Sequence, residues 1–186
     1  MALIIALLLF GAAAGPPQEM ETPAKVQYAL LQKILFFDRN LKARAGDEIV
    51  IGILYQDNFK SSRDFKDDLL QIVADDPEPK IYNVPLKFVV LDLSEKVDLA
   101  ARAVKQNIDI FYVGPLRAVE IKTVTAVSRD KKIFTFTGVP AFVEAGLSTG
   151  IGIKAEKPQI IINLPAARAE GVEFNAQLLK LARIVE

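Results

Sequence analysis

The chain has 186 residues, 51% hydrophobic and 25% charged, the balance of a folded globular protein with one core to bury. Lys and Arg number 23, as do Asp and Glu, so no strong field draws in a polyphosphate backbone or an anionic membrane, and the composition argues against nucleic acid as a partner. Histidine and cysteine are absent, which excludes a structural zinc centre of those ligands, a Cys or His catalytic pair, a Ser-His-Asp triad and a redox CxxC.

Ala2 to Ala13 is an apolar run too short to span a bilayer, which takes about 20 residues. Ala12-Ala13-Ala14 places small residues where a signal peptidase reads, and Gly15-Pro16-Pro17 breaks any helix. Residues 1–14 therefore read as a secretory signal cleaved after Ala14, although no Lys or Arg precedes the run. Residues 15–22 read as a linker and 23–186 as one domain.

Thr22-Pro23 reads as a helix start, with Thr22 as N-cap and Pro23 at the first helical position. Val26, Leu30, Ile34, Phe37 and Leu41 mark a buried stripe ending near Gly46. Tyr28, Leu31, Leu35 and Phe36 add a second apolar face. Such a helix sits between two layers of one domain or at a partner or dimer interface, and these four are the candidate interface residues.

The period changes at Glu48 to Tyr55, a nearly continuous β-branched run that reads as a strand covered on both faces. A turn at Asp57-Asn58 leads to a capped helix over Ser61 to Ala74, with Phe65, Leu69, Leu70 and Val73 inward, and Asp75 to Pro79 is a loop. Strands at Leu86–Leu91, Ile108–Val113 and Ile133–Thr137 alternate with helices at Glu95–Gln106 and Leu116–Arg129. A segment around Pro140 to Ala145 precedes strands at Leu147–Lys154 and Gln159–Leu164, whose short connection makes them antiparallel. A final helix carries Leu178, Leu181, Ala182 and Val185. The predicted fold is α/β: a largely parallel sheet with helices on both faces, a Rossmann-like three-layer sandwich, with a C-terminal antiparallel pair and a final helix.

Gly150-Ile151-Gly152 lacks the third glycine and following helix of a phosphate loop and marks a bulge or close backbone approach. Asp64, Asp67 and Asp68 alternate with Lys60, Arg63 and Lys66, a solvated helix face and not a metal site. No motif picks out a pair of ionisable groups for acid–base work, so no catalytic residue and no cofactor is expected. Ligands of open parallel sheets bind at the carboxyl ends of the strands. The candidate residues there are Asp57, Asn58, Gly114, Arg117, Thr137 and Gly138, with Arg117 expected just inside a helix start, facing an anion. Turns and caps are the structural alternative for the same positions.

Phe142, Ala145-Gly146-Leu147, Gly150, Gly152, the run Ile160-Ile161-Ile162-Asn163-Leu164-Pro165-Ala166-Ala167, Gly171 and Gln177-Leu178-Leu179-Lys180-Leu181-Ala182 resemble the signature of the YfiR-like family. The resemblance extends back through Tyr28, Lys33 and Ile34. It implies a periplasmic regulator, often dimeric, that binds the periplasmic sensor domain of a membrane-bound diguanylate cyclase and represses it, with cyclic-di-GMP signalling downstream; the expected partner is such a cyclase or a histidine kinase. The chain departs from the pattern in having no cysteines for a redox-linked disulfide, and Asp38-Arg39-Asn40 stands where an aromatic is common near the end of the first helix. The alternative reading is a periplasmic solute-binding protein.

Overall fold

The computed structural model describes residues 20–117, 119 and 121–185. The expected signal segment 1–14 and residues 15–19 of the linker lie outside them. In chain order the elements are α1 (Ala24–Phe36), α2 (Leu41–Arg44), β1 (Ile49–Tyr55), α3 (Lys60–Ala74), β2 (Lys80–Ile81), β3 (Val84–Asp92), α4 (Leu99–Lys105) and β4 (Ile110–Val113). There follow α5 (Ile121–Lys131), β5 (Phe134–Thr137), α6 (Pro140–Glu144), β6 (Thr149–Lys154), β7 (Lys157–Asn163), α7 (Leu164–Ala169), α8 (Ala176–Leu181) and β8 (Arg183–Val185).

All eight strands form one sheet in the order β2-β3-β1-β4-β5-β6-β7-β8. The pairs from β3 through β1, β4 and β5 to β6 are parallel, β7 is antiparallel to β6, and β8 is parallel to β7. Successive side chains of a strand point to opposite faces, and β1 divides its apolar residues accordingly. Ile49, Ile51 and Ile53 join Tyr28 and Leu31 of α1 and Phe65 and Leu69 of α3 in one core. Val50 and Leu54 join Leu99 and Ala103 of α4 and Ile121 and Val124 of α5 in the other. Helices cover both faces, and the predicted three-layer α/β architecture holds.

Several boundaries move for local reasons. Thr22 does not cap α1; Pro23 occupies that position with ψ 144°, and its carbonyl accepts from Val26 and Gln27 N–H. The helix ends at Phe36 because Asp38 turns away to bridge Phe174, its carboxylate accepting from Asn40 and Glu173 N–H and pairing with Arg44. Asp38 is thus a buried structural node and not a surface feature. No side chain caps α3, whereas Asp98 caps α4, which starts at Leu99 and not at Glu95. At the C-terminus the expected last helix stops at Leu181, and Arg183–Val185 instead adds β8 to the sheet, leaving Leu181 68% exposed.

Both short hairpins turn on residues with positive φ, Tyr82 and Asn83 at 51° and 67° and Ala155 and Glu156 at 48° and 63°, as a two-residue turn matched to strand twist requires. The glycines of β6 are close approaches, as expected: a Cβ on Gly150 would lie 2.6 Å from Val143 Cγ2 of α6.

Candidate functional site: a cleft at the carboxyl ends of β1, β3 and β4

From β1 the chain crosses through α3 to β3 on one side of it, and from β3 through α4 to β4 on the other. The winding sense therefore reverses between β1 and β4, and the loops leaving their carboxyl ends diverge. They leave a cleft of about 670 Å³. Its walls come from Gln56, Asn58 and Phe59 after β1, the Leu93–Val97 loop after β3, Arg117 and Val119 after β4, and Thr123 and Val124 in the first turns of α5.

Asp92, at the end of β3, ties these loops together. Its carboxylate accepts from Asp57 N–H at 3.1 Å, Ser94 N–H at 2.9 Å and the Ser94 hydroxyl at 2.6 Å. Burial works to raise its pKa, but the Ser94 and Asp57 bonds and the nearby Arg102 outweigh it and hold the carboxyl below its ordinary value. Asn58 N–H donates to Ser94 Oγ at 3.3 Å. Gln56, 6% exposed, receives Arg117 N–H on Oε1 at 2.6 Å. Gly114 to Arg117 are irregular, and Arg117 stands ahead of α5, which is described from Ile121, not inside it. The Arg117 guanidinium lies 4.3 Å above the Phe59 ring.

The six residues expected at the strand ends separate into two groups. Asn58 and Arg117 line the cleft, and Asp57 lines a smaller depression beside it with Asp92 and Arg102. Gly114 instead packs on Phe65 of α3, where a Cβ would come within 2.7 Å of the ring. Thr137 donates its hydroxyl to Val113 O and receives Val139 N–H, and Gly138 packs against Gln27 of α1. Sequence reasoning missed Gln56, Phe59, Lys96 and Thr123; the available signal was Gln56's place directly after a continuous apolar strand.

The four candidate interface residues also separate. Tyr28, Leu31 and Leu35 are buried between α1 and the sheet, so the second apolar face of α1 is largely consumed within the chain. Tyr28 O–H donates to Asp76 at 2.8 Å, and burial together with that carboxylate raises its pKa. Phe36 remains 53% exposed and stacks on Tyr82 of the β2–β3 turn, 44% exposed, with ring centroids 4.8 Å apart. Leu31→Ala is expected to cost about 2–5 kcal/mol of stability, as for other buried leucines, whereas Phe36→Ala costs about 1 kcal/mol or less; urea unfolding of both variants checks the division.

The family model described as DUF4154, YfiR/HmsC-like, matches residues 24–183. The chain belongs to the YfiR/HmsC-like family. Membership supports a regulatory protein of the periplasm, and no described helix is long and apolar enough to cross a membrane. No curated protein matches this YfiR/HmsC-like chain. Among solved structures it is similar to a conserved domain protein from Vibrio cholerae O1 biovar El Tor, at TM-score 0.64 and 15% identity over 89% of this chain and 60% of that one. It is also similar to the ABC domain in complex with L-Trp from Streptococcus pneumoniae, at TM-score 0.60 and 15% identity over 88% and 60%. A third is a substrate binding protein with adhesive properties from Clostridium difficile in its ligand-free, open structure, at TM-score 0.56 and 18% identity over 84% and 59%. The YfiR/HmsC-like chain thus spans about 60% of the length of these structures, and the likeness is one of fold.

Proposed function

We propose that the protein is a non-catalytic periplasmic regulator that binds the periplasmic sensor domain of a membrane-bound diguanylate cyclase or histidine kinase and holds its output down. The observation that carries this reading is the family match across residues 24–183. The signal-like segment 1–14 supports export, with the mature chain starting at Gly15. The exposed Phe36–Tyr82 stack is the proposed contact surface, because exposed aromatics are the side chains that most often anchor a protein interface.

The test is affinity capture of the tagged mature chain from its own cell envelope after mild cross-linking, with mass spectrometry of what is retained. Recovery of a membrane protein with a cytoplasmic cyclase or kinase domain is the expected result, and Phe36→Ala is expected to reduce that recovery about tenfold, equivalent to about 1.4 kcal/mol. Recovery of the bait alone, or of second copies of it only, overturns the reading. A second reading, a small-molecule-binding protein, is favoured by one observation, the cleft at the point where the winding sense reverses.

A further inference from the structure

We infer that the cleft is a binding site for a small organic anion, a carboxylate with an apolar body, held by the Gln56 carboxamide and the Arg117 guanidinium. The inference rests on the second reading above, that the cleft takes a small molecule. Gln56 decides the polarity. Its Oε1 accepts from Arg117 N–H, which fixes which end of the carboxamide is oxygen. The NH2 end is then turned the other way on a side chain that is almost wholly buried and lines the cleft. Among the described residues no acceptor meets that NH2 group, yet Gln56 Nε2 is not among the sealed, unpartnered atoms of the interior. A buried carboxamide whose donors face a cavity is placed to donate to an acceptor on a molecule bound there.

Arg117 supplies the charge. Its guanidinium carbon lies 4.3 Å from the Phe59 ring centroid, and among the described residues no acceptor takes its side-chain donors, which suit a forked pair with a carboxylate. The described charged residues of the lining are Glu95, Lys96 and Arg117, a net balance on the positive side. Thr123 adds a hydroxyl at the first turn of α5, whose amino end favours negative charge. The rest of the wall is apolar, from Phe59, Leu93, Val97, Leu99 and Val124. A cleft of about 670 Å³ falls within the size range of small-molecule sites. Polar donors at one end and an apolar wall at the other fit one molecule carrying both.

The test titrates three acids, benzoate, phenylacetate and 3-phenylpropanoate, and the neutral phenylacetamide and cationic phenethylamine, into the isotope-labelled mature chain. The Gln56 side-chain NH2 and the Val97 and Val124 methyl signals are followed by NMR. At least one acid is expected to shift all three signals saturably, with the amide and the amine binding about tenfold more weakly or not at all. Gln56→Glu keeps an acceptor for Arg117 N–H but replaces the donor with a carboxylate oxygen. It is expected to weaken acid binding about tenfold or more, as is Arg117→Ala, which unfolds near the parent temperature. If an amide or amine matches the acids, or if both variants bind the acids normally, the cleft takes small molecules but the assignment of class and residues fails. If no probe moves the cleft signals, the small-molecule reading fails with it.

Discussion

Gly138→Ala is expected to destabilise the protein by about 2–6 kcal/mol, lowering Tm by roughly 4–24 °C for a domain of this length. A Cβ at this position would lie 2.1 Å from Gln27 Oε1 and 2.4 Å from both Cδ and Nε2. The obstacle cannot swing aside. Gln27 is fully buried, its Nε2 donates to Thr22 O at 2.6 Å, and its Oε1 receives the Tyr112 hydroxyl at 2.9 Å. Burial raises the Tyr112 pKa, so the hydroxyl keeps its proton and needs that acceptor. Overpacking costs about 1–3 kcal/mol, and stranding a buried hydroxyl adds about 1–3 kcal/mol. Removing the obstacle should recover part of the loss, so the Gly138→Ala, Gln27→Ala double variant is expected to be more stable than the sum of its single changes. Chemical unfolding of the four proteins reads this coupling. A cost below about 1 kcal/mol for Gly138→Ala, with additive behaviour, would return Gly138 to the ligand-binding role expected from its place at a strand end.

That reassignment shows where legibility from sequence ended. The run Ile49 to Tyr55 was readable as a doubly covered strand because both of its faces are buried, and a strand of that kind needs no partner knowledge to recognise. The alternation of strands and helices then carried the fold class. β2 was invisible because Lys80-Ile81 is too short to show a period. β8 was hidden by Leu178, Leu181, Ala182 and Val185, whose spacing imitates a helical stripe although the chain leaves the helix at Leu181. Turns at Ala155-Glu156 carried no signal, since neither residue favours positive φ.

The two apolar faces of α1 were legible as residues, but their occupants were not. Whether Leu31 and Leu35 meet another molecule or the sheet depends on how α1 lies against β1 and α3, which no spacing along α1 records. The candidate site divided on the same ground. The rule for parallel sheets finds the end of the sheet, and so it found Asn58 and Arg117. It does not say which loop residues turn toward the cleft and which turn back into packing, as Thr137 and Gly138 do. The pairing of Gln56 with Arg117 spans 61 positions and leaves no mark in either residue's neighbourhood.

Replacing Glu170 by Ala is expected to cost about 3–5 kcal/mol, and replacing it by Gln to change how stability depends on pH. β5 and β6 pair only at Phe136–Thr149 and Thr137–Gly150, and Glu170 serves the backbone where that pairing stops. Fully buried at the end of α7, its carboxylate accepts Thr135 N–H at 2.9 Å and the hydroxyls of Thr135 and Ser128 at 2.9 and 2.8 Å. Alanine leaves these donors only longer bonds, 3.1–3.3 Å, to Ser148 Oγ and Thr125 O, and breaking a buried charged network costs several kcal/mol. Burial, the largest influence, raises the Glu170 pKa above its ordinary 4.5, and the bonds from Ser148, Ser128 and Thr135 only partly offset it. The folded protein therefore binds this proton more readily than the unfolded chain does. The resulting contribution is fully present below the ordinary glutamate range and is lost as pH rises through the raised value. Gln is neutral throughout. Its carbonyl can face Thr135 N–H while its NH2 faces the two hydroxyls, which can turn to accept. Urea midpoints measured from about pH 4 to about pH 8 should show the parent losing ground to Glu170→Gln as pH rises. A constant difference between the two across that range would mean that the carboxylate is ionised at no cost in the fold, and the dominance of burial at Glu170 would be wrong.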